Sequence, residues 1–501
     1  MPSPQSDARP PVDGSVGRPD KPEEACGVFG IYSPEEDVAT LAYFGLYALQ
    51  HRGQESAGIA TFDPTVEPAQ VHSHKGMGLV SQVFDDEQLR LMSGQWAVGH
   101  TRYSTTGSSR VVNAQPAILN TRLGSLALAH NGNVVNSAVL RDELLARNHD
   151  MITTTDTELI AIALAEAVND GMDWTDAAIR AFNRCSGAFS LVIGTPKGII
   201  ATRDPKGIRP LVLGYAGSED PNGGPGQYVV ASETCGLDIV NAHYIRDIRP
   251  GELVWIDETG LRSIQWAEAQ RHLCVFEMIY FSRPDSVVNG ESLYSYRQRI
   301  GEWLARESPA EVDLVMPVPD SGIPAAIGFA RASGIPYAEG LIKNRYVGRT
   351  FIQPTQTMRE AGIRIKLNPL KDVLAGKRVL IVDDSIVRGT TSRKIVKALR
   401  EAGATEVHMR ISSPPVTHPC FYGIDTDNQD QLIGATKTVA EIAEQINVDS
   451  LAYLSWEGML EATEQDTNSF CSACFTGNYP VAIPELFKRS KLMLEKLPVK
   501  A

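Results

Sequence analysis

The most constraining stretch of this 501-residue chain is Arg378-Val-Leu-Ile-Val-Asp383-Asp384-Ser385-Ile-Val-Arg388-Gly389-Thr390-Thr391. Val379 to Val382 form an unbroken apolar run, as expected of a strand buried on both faces. Two acids follow at once, then small and hydroxyl residues with one glycine. Ser392-Arg-Lys-Ile-Val-Lys-Ala-Leu-Arg-Glu next reads as an amphipathic helix. Ile395, Val396 and Leu399 share its apolar face, and Gly403 is its stop. Strand, loop and helix in this order point to an open α/β sheet, in which ligands bind at the carboxyl ends of the strands.

A loop of Gly, Thr and Ser ahead of a helix N-terminus offers N–H groups and hydroxyls to a phosphate. The two aspartates would repel a phosphate set directly against them. They suit a ribose hydroxyl or a magnesium ion, or they form a solvated Asp-Asp turn after a core strand. The whole run resembles the 5-phosphoribosyl-1-pyrophosphate (PRPP) loop of the type I phosphoribosyltransferases. That resemblance implies that Asp383 and Asp384 contact the ribose hydroxyls. It implies that Gly389, Thr390 and Thr391 cradle the 5′-phosphate and that Ser385 and Arg388 belong to the same PRPP-binding loop.

The N-terminal half carries a second set of motifs. Cys26-Gly-Val-Phe-Gly-Ile-Tyr opens an apolar strand abruptly. His51-Arg-Gly-Gln-Glu-Ser-Ala-Gly58, Gly99-His-Thr-Arg-Tyr-Ser-Thr-Thr-Gly107 and Ala129-His-Asn-Gly-Asn133 follow, each at or near the end of a β-like run. The four in this order resemble the class II glutamine amidotransferase domain, one of the N-terminal nucleophile hydrolases. In that family an upstream propeptide is removed and the cysteine becomes the first residue. The chemistry explains why: a thiol needs a base, and a free α-amine titrates near pH 7.7–8.0. Residues 1–25, with six prolines, eight charges and no apolar run, read as the propeptide. The resemblance implies an oxyanion hole from Asn131 and the N–H of Gly132. It implies that Arg102 binds the α-carboxylate of glutamine and Asp156 its α-ammonium. Asp156 also stands where a helix over Glu158–Val168 would be capped, and capping competes with that role.

Beyond residue 262 the pattern alternates strand and helix. Asp313-Leu-Val-Met-Pro-Val-Pro-Asp320 runs into Ser321-Gly-Ile-Pro. By resemblance this is the pyrophosphate loop, with Ser321 supplying a hydroxyl to a metal. Lys343 to Arg359 holds four basic residues and no acid. It is a solvated basic loop or, as the family implies, a lid in which Lys343 and Arg349 meet PRPP. Seven cysteines, an odd number, without a secretory signal argue against a disulfide framework. Cys471-Ser-Ala-Cys474, Cys420 and Cys274 supply four thiols, enough for zinc or an iron–sulfur cluster. One branch of enzymes carrying both domains holds a [4Fe–4S] cluster in such contexts. Cys185 and Cys235 read as structural.

The expected architecture is thus an αββα sandwich of the N-terminal nucleophile hydrolase type over residues 26–262. A Rossmann-like parallel-sheet phosphoribosyltransferase domain follows over 263–475, then a helical tail over 476–501. Hydrophobic content of 43% and charged content of 21% fit a globular protein, and a net charge of −13 disfavours a nucleic-acid binder. No stretch approaches the 18 apolar residues of a membrane span. The two resemblances together imply an enzyme of the first step of purine synthesis. Glutamine, PRPP and water would become glutamate, 5-phosphoribosylamine and pyrophosphate. They further imply one Mg2+ per subunit, purine nucleotide feedback inhibitors, a homotetramer and a cytoplasmic location. Two other functions remain open at this stage: a PRPP-sensing regulator, and a glutamine amidotransferase for another sugar phosphate.

Overall fold

The computed structural model describes residues 26–103, 108–217, 226–344, 367–426, 428–485 and 494. The propeptide reading, Arg349 with most of the basic segment, and most of the C-terminal tail lie outside the described residues.

Among the described residues the first half forms thirteen strands. They are β1 (Gly27–Tyr32), β2 (Ser56–Asp63), β3 (Gln70–Met77), β4 (Trp96–Arg102), β5 (Ala117–Thr121), β6 (Gly124–Val134) and β7 (Gly187–Thr195). Next come β8 (Gly198–Arg203), β9 (Val212–Ala216), β10 (Gln227–Ala231), β11 (His243–Asp247), β12 (Glu252–Asp257) and β13 (Gly260–Gln265). They assemble into a seven-stranded sheet, β11-β9-β10-β1-β4-β2-β3, and a six-stranded sheet, β13-β12-β8-β7-β6-β5. Strand alternation aims Val28, Phe62 and Val98 of the first sheet at Ala129, Val192 and Ala201 of the second, giving one shared core. The outer faces need their own cover. The helix Val38–Ala48 packs Val38, Ala42 and Leu46 onto Phe29 and Ile31. The helices Asp156–Asn169 and Trp174–Phe182 cover Leu126, Leu128 and Leu191. Each large side chain so buried contributes about 1.5–3 kcal/mol of transfer free energy. This is the expected αββα sandwich. The β12–β13 hairpin pairs Glu252 with Gln265, so the sheet runs three residues past position 262.

A two-residue parallel pair, β14 (Leu273–Cys274) with β23 (Phe470–Cys471), ties the segment after the sandwich to the C-terminal part of the chain. A small hairpin, β15 (Val287–Val288) and β16 (Glu291–Ser292), precedes the helix Leu293–Glu307. The second sheet system is parallel, in the order β17 (Leu314–Pro317), β20 (Arg378–Asp383), β21 (Glu406–Ile411) and β22 (Ser450–Tyr453). Both its faces are covered, as the continuous apolar runs require. Leu380 and Val382 of β20 meet Ile300, Leu304 and Phe329 on one side. Val379 and Ile381 meet Ile395, Val396 and Leu399 of the helix Thr390–Glu401 on the other. Strands β18 (Leu341–Lys343) and β19 (Leu367–Pro369) pair with each other on either side of the basic segment in the sequence. In the tail, a short helix Ala473–Thr476 is followed by non-helical residues 477–485, and Leu494 is buried against Leu140, Leu144 and Leu159. Among the described residues no helix is long and apolar enough to cross a membrane.

Candidate active site

Cys26 lies immediately before β1 and is nearly buried. Its thiol donates to the carbonyl of Tyr103 at 3.5 Å. Burial raises the thiol's pKa, partly offset by that bond and by Arg102 nearby. Arg102, Gly132 and Asp156 line the same cavity, together with Tyr103, Gln115, His130, Thr155 and Thr157. Four sequence positions spread over 130 residues thereby meet around one sulfur. Arg102, at the end of β4, donates from Nη1 to the carbonyl of Ser108 at 3.1 Å, with Glu55 3.8 Å away.

Asp156 is the first residue of the helix Asp156–Asn169, whose N-cap is Thr155. It does not cap the helix. Its Oδ2 accepts the N–H of Val134 at 2.9 Å, and Oδ1 lies 3.6 Å from His130 Nδ1. Burial pushes this carboxyl up, but His130 and the Val134 N–H outweigh it and hold the group below the usual aspartate range. An anion is thus maintained inside a buried cavity, as an ammonium-binding role requires.

Gly132 has φ +147, and a Cβ there would stand 2.1 Å from the carbonyl oxygen of Ala188. Only glycine fits. Asn131 does not line the cavity. Its amide is fully buried beside it, and both Oδ1 and Nδ2 lack a hydrogen-bond partner. A buried amide left unpaired is costly. Sequence reasoning missed Gln115, whose Oε1 accepts the N–H of His130 at 2.8 Å, and His130 itself. His130 was visible in the Ala129–Asn133 motif. Gln115 carried no local signal.

The second set of residues gathers at the carboxyl ends of β17 and β20. Asp383, Asp384 and Ser385 are nearly fully buried. Asp383 Oδ1 accepts the N–H of Asp384 at 3.0 Å, and Ser385 Oγ donates to Asp384 Oδ1 at 2.7 Å. These bonds hold the two carboxylates within the turn. Gly389, at φ +77, turns the chain into the helix Thr390–Glu401. Thr390 and Thr391 therefore sit at a helix N-terminus, the end whose dipole favours an anion. Arg388 donates to Gln431 Oε1 at 2.9 Å. The Ser321 loop abuts this site: Val318 N–H donates to the carbonyl of Val382 at 2.8 Å, and a Cβ on Gly322 would lie 2.4 Å from that same oxygen. Lys343 reaches over the loop to Asp320 Oδ2 at 2.6 Å.

Cys274, Cys420, Cys471 and Cys474 share one buried apolar cluster at the junction of the two halves, walled by Phe276, Phe281, Phe421 and Tyr422. Cys274 and Cys471 face each other across the β14–β23 pair, and Cys420 Sγ accepts the N–H of Tyr422 at 3.4 Å. Burial pushes the Cys274 thiol up to about 12. Among the described residues, no three His, Cys, Asp or Glu side chains form a group that could hold a metal ion. Cys185 and Cys235 stand apart, donating to the carbonyls of Ala181 and Ala48.

One sandwich with a buried N-terminal-side cysteine, joined to a parallel sheet with an acidic phosphate loop, defines a two-domain glutamine-dependent phosphoribosyl amidotransferase. The glutamine amidotransferase domain family matches residues 100–236, and the phosphoribosyl transferase domain family matches residues 290–412. The amidophosphoribosyltransferase of Synechococcus elongatus is 70% identical over 484 residues, covering 96% of this chain and 97% of the relative. Two solved structures are similar. One is an allosteric regulatory enzyme of purine biosynthesis, with a TM-score of 0.85, 46% identity, and coverage of 92% of this chain and 97% of that one. The other is the glutamine PRPP amidotransferase of B. subtilis complexed with ADP and GMP, with a TM-score of 0.84, 46% identity, and coverage of 92% and 98%. The chain belongs to the amidophosphoribosyltransferase family.

Proposed function

We propose that the chain hydrolyses glutamine at Cys26 and passes the ammonia to PRPP, forming 5-phosphoribosylamine as the first committed step of purine synthesis. The observation that carries this reading is the convergence of Cys26, Arg102, Gly132 and Asp156 on one cavity, on the same chain as the Asp383–Thr391 loop.

In the first half-reaction the α-amine of mature Cys26 takes the thiol proton, and the sulfur attacks the carboxamide carbon. Arg102 holds the α-carboxylate of glutamine through its two-pronged guanidinium, and Asp156 holds the α-ammonium. The Asn131 amide and the Gly132 N–H receive the oxyanion. The C–N bond breaks, the proton goes to the departing ammonia, and water then cleaves the thioester to glutamate. In the second, ammonia forms a bond to C1 of PRPP as the C1–O bond to pyrophosphate breaks, and the amine releases a proton to solvent. Asp383 and Asp384 orient the ribose. Ser385, Arg388, Gly389, Thr390 and Thr391 hold the 5′-phosphate. Lys343 and Arg349 neutralise the leaving group. Ser321, Asp383 and Asp384 would hold Mg2+, which keeps waters and substrate phosphates as most of its ligands and so needs only a few protein oxygens. Bound there, it would supply positive charge to the pyrophosphate.

Cys274, Cys420, Cys471 and Cys474 would hold a [4Fe–4S] cluster. The fit rests on the donor set and on Arg209. This guanidinium is fully buried beside the thiols, above the Phe281 ring at 5.9 Å. Its Nη2 pairs with Glu277 Oε1 at 2.7 Å, while Nε and Nη1 have no hydrogen-bond partner among the described residues. A buried cation with unsatisfied donors suits an anionic thiolate cluster. The proposed domains are 1–25 (propeptide), 26–262, 263–475 and 476–501. Purine nucleotide inhibition, a homotetramer and a cytoplasmic location complete the proposal.

The test is a product assay with glutamine, PRPP and magnesium, paired with mass analysis of the active enzyme's N-terminus. Expected are PRPP-dependent phosphoribosylamine and Cys26 as the first residue. Glutamate release indifferent to PRPP would point to another acceptor. Full activity with the Ala25–Cys26 bond intact would overturn the nucleophile assignment.

A further inference from the structure

Two contacts reach the glutamine cavity from behind, and both come from segments beyond the sandwich. The first passes through Arg52, which is fully buried. Its Nε donates to the backbone carbonyl of Cys26 at 3.2 Å. Its Nη1 and Nη2 are gripped by Glu277 at 3.0 and 2.7 Å, and Nη1 also meets Glu233 at 2.5 Å. Glu277 lies three residues after β14, in the turn Glu277–Phe281, and Ser282 Oγ donates to its Oε2 at 2.8 Å. A guanidinium is a rigid planar fork. With two prongs fixed by Glu277, the third atom has one place to point, and that is the residue carrying the nucleophile.

The second contact backs the oxyanion strand. Asn133 Nδ2 donates to the carbonyl of Phe421 at 2.9 Å in a buried setting. Two residues on, Gly423 is so close that a Cβ there would lie 3.3 Å from both Cα and C of Gly132. The 421–423 loop therefore packs against the glycine that lines the cavity, so closely that a methyl group at Gly423 would press on Gly132.

We propose that Glu277 and Gly423, neither of which touches glutamine, are positioning residues for its hydrolysis: one sets the backbone of Cys26 through Arg52, the other sets Gly132. The separation of nucleophile and oxyanion site is thereby governed from the second half of the chain. The inference rests on the reading of Cys26 as nucleophile and Gly132 as oxyanion donor. A misplacement of about 1 Å between reacting groups costs about a hundredfold in rate. Substrate affinity, carried by Arg102 and Asp156, is a separate matter.

The experiment uses mature full-length enzyme and compares glutamine-dependent with ammonia-dependent phosphoribosylamine formation. Glu277→Gln keeps the shape of the side chain and removes its charge. It is expected to lower kcat with glutamine by about ten- to a hundredfold, with KM for glutamine within about threefold and the ammonia-dependent rate unchanged. Gly423→Ala should give the same split. Arg52→Lys retains the charge but not the fork and should not preserve the rate. If Glu277→Gln does not fold, Arg52→Lys and Gly423→Ala decide. Glutamine- and ammonia-dependent rates falling together would mark a merely structural role and overturn the proposal. So would a rise in KM alone, or no change. Labelling by an electrophilic diazoketone analogue of glutamine separates the two levels. Label on a residue other than Cys26 in the unaltered enzyme refutes the nucleophile reading itself. Label on Cys26 with normal kinetics in the variants refutes only the positioning.

Discussion

The cavity around Cys26 and the loop around Asp383 are closed by different means. Around Cys26 the walls are buried side chains from β4, β6 and the helix Asp156–Asn169, already hydrogen-bonded to one another. Around Asp383 the floor is backbone: a hydrogen-bonded acidic turn, a left-handed glycine and a helix N-terminus, with Thr390 exposed and Lys343 reaching across from the exposed end of β18. The difference follows the proposed chemistry. A covalent thioester needs its nucleophile and oxyanion donors preset, because each must act on one small carbonyl. Phosphoribosyl transfer acts on a large anion that brings its own charge and metal ligands, so the protein can leave the site open and let the substrate complete it.

The sharpest way to break this contrast is Cys26→Ala. Glutamine hydrolysis should fall by about 10⁴-fold or more, as for loss of a catalytic nucleophile, while product formation from free ammonia persists. Residual glutamine hydrolysis near the original rate would mean the preset cavity is not where the amide is cleaved. Next in size is the converse. Asp383→Asn/Asp384→Asn should lower phosphoribosylamine formation by about a hundredfold or more from either nitrogen source, leaving basal glutamine hydrolysis largely intact. Normal product from ammonia in that double variant would remove PRPP from the acidic turn.

Much of this was legible in the sequence because both sites are built on contiguous motifs. The run 378–401 is a complete strand, turn and helix. Residues 129–133 and 99–102 each belong to the end of a single strand, so local pattern suffices. What was illegible is what touches them from far away. Glu277 reads as one acid in the apolar segment Val275-Phe-Glu-Met-Ile-Tyr-Phe, and nothing local says that Arg52 and Arg209 flank it. Arg209 looks like any loop arginine until the fold buries it beside Cys274 and Phe281. Asp156 shows the opposite hazard: its place ahead of a helical pattern suggested a cap, yet its carboxylate turns to the Val134 N–H. Long-range electrostatics leaves no periodicity to read.

Arg209→Leu tests the region between the two sites. Removing the buried cation should cut iron from about four per chain, the stoichiometry of the proposed cluster, to less than half of that. It should also shift the reduction potential of what remains. Unchanged iron and potential would show that the guanidinium does not face the cluster, and stoichiometric zinc in place of iron would remove the cluster.

A smaller effect is expected at acid pH. Burial pushes Glu233 and Glu277 up, but His51 and Arg52 beside the first, and Arg209 and Arg52 beside the second, hold both below the usual value of 4.5. Groups depressed in the folded state contribute stability that is complete above pH 4.5 and is lost as the pH falls through their lowered values. Melting temperature should therefore decline below pH 4.5, and Glu277→Gln should flatten that decline by removing one of the two protons taken up. An acid limb identical in the variant would show that the Arg52 network is not what titrates.

The smallest effect on stability belongs to the open site and shows how little its rim contributes to the fold. Lys343 and Asp320 form an ion pair at 2.6 Å with side chains 46% and 52% exposed. A pair this solvated is worth about 0–1 kcal/mol, so Lys343→Ala should leave the melting temperature almost unmoved. The same lysine is freed for use once a polyanion competes with Asp320. In the variant KM for PRPP should then rise by about tenfold, the scale of one lost charge contact in binding, with KM for glutamine unchanged. Raising the salt concentration should shrink the difference, since an exposed charge acts through solvent. A drop in melting temperature with no change in KM would reverse the assignment, making Lys343 a brace for the Ser321 loop and leaving the open site without its cationic arm.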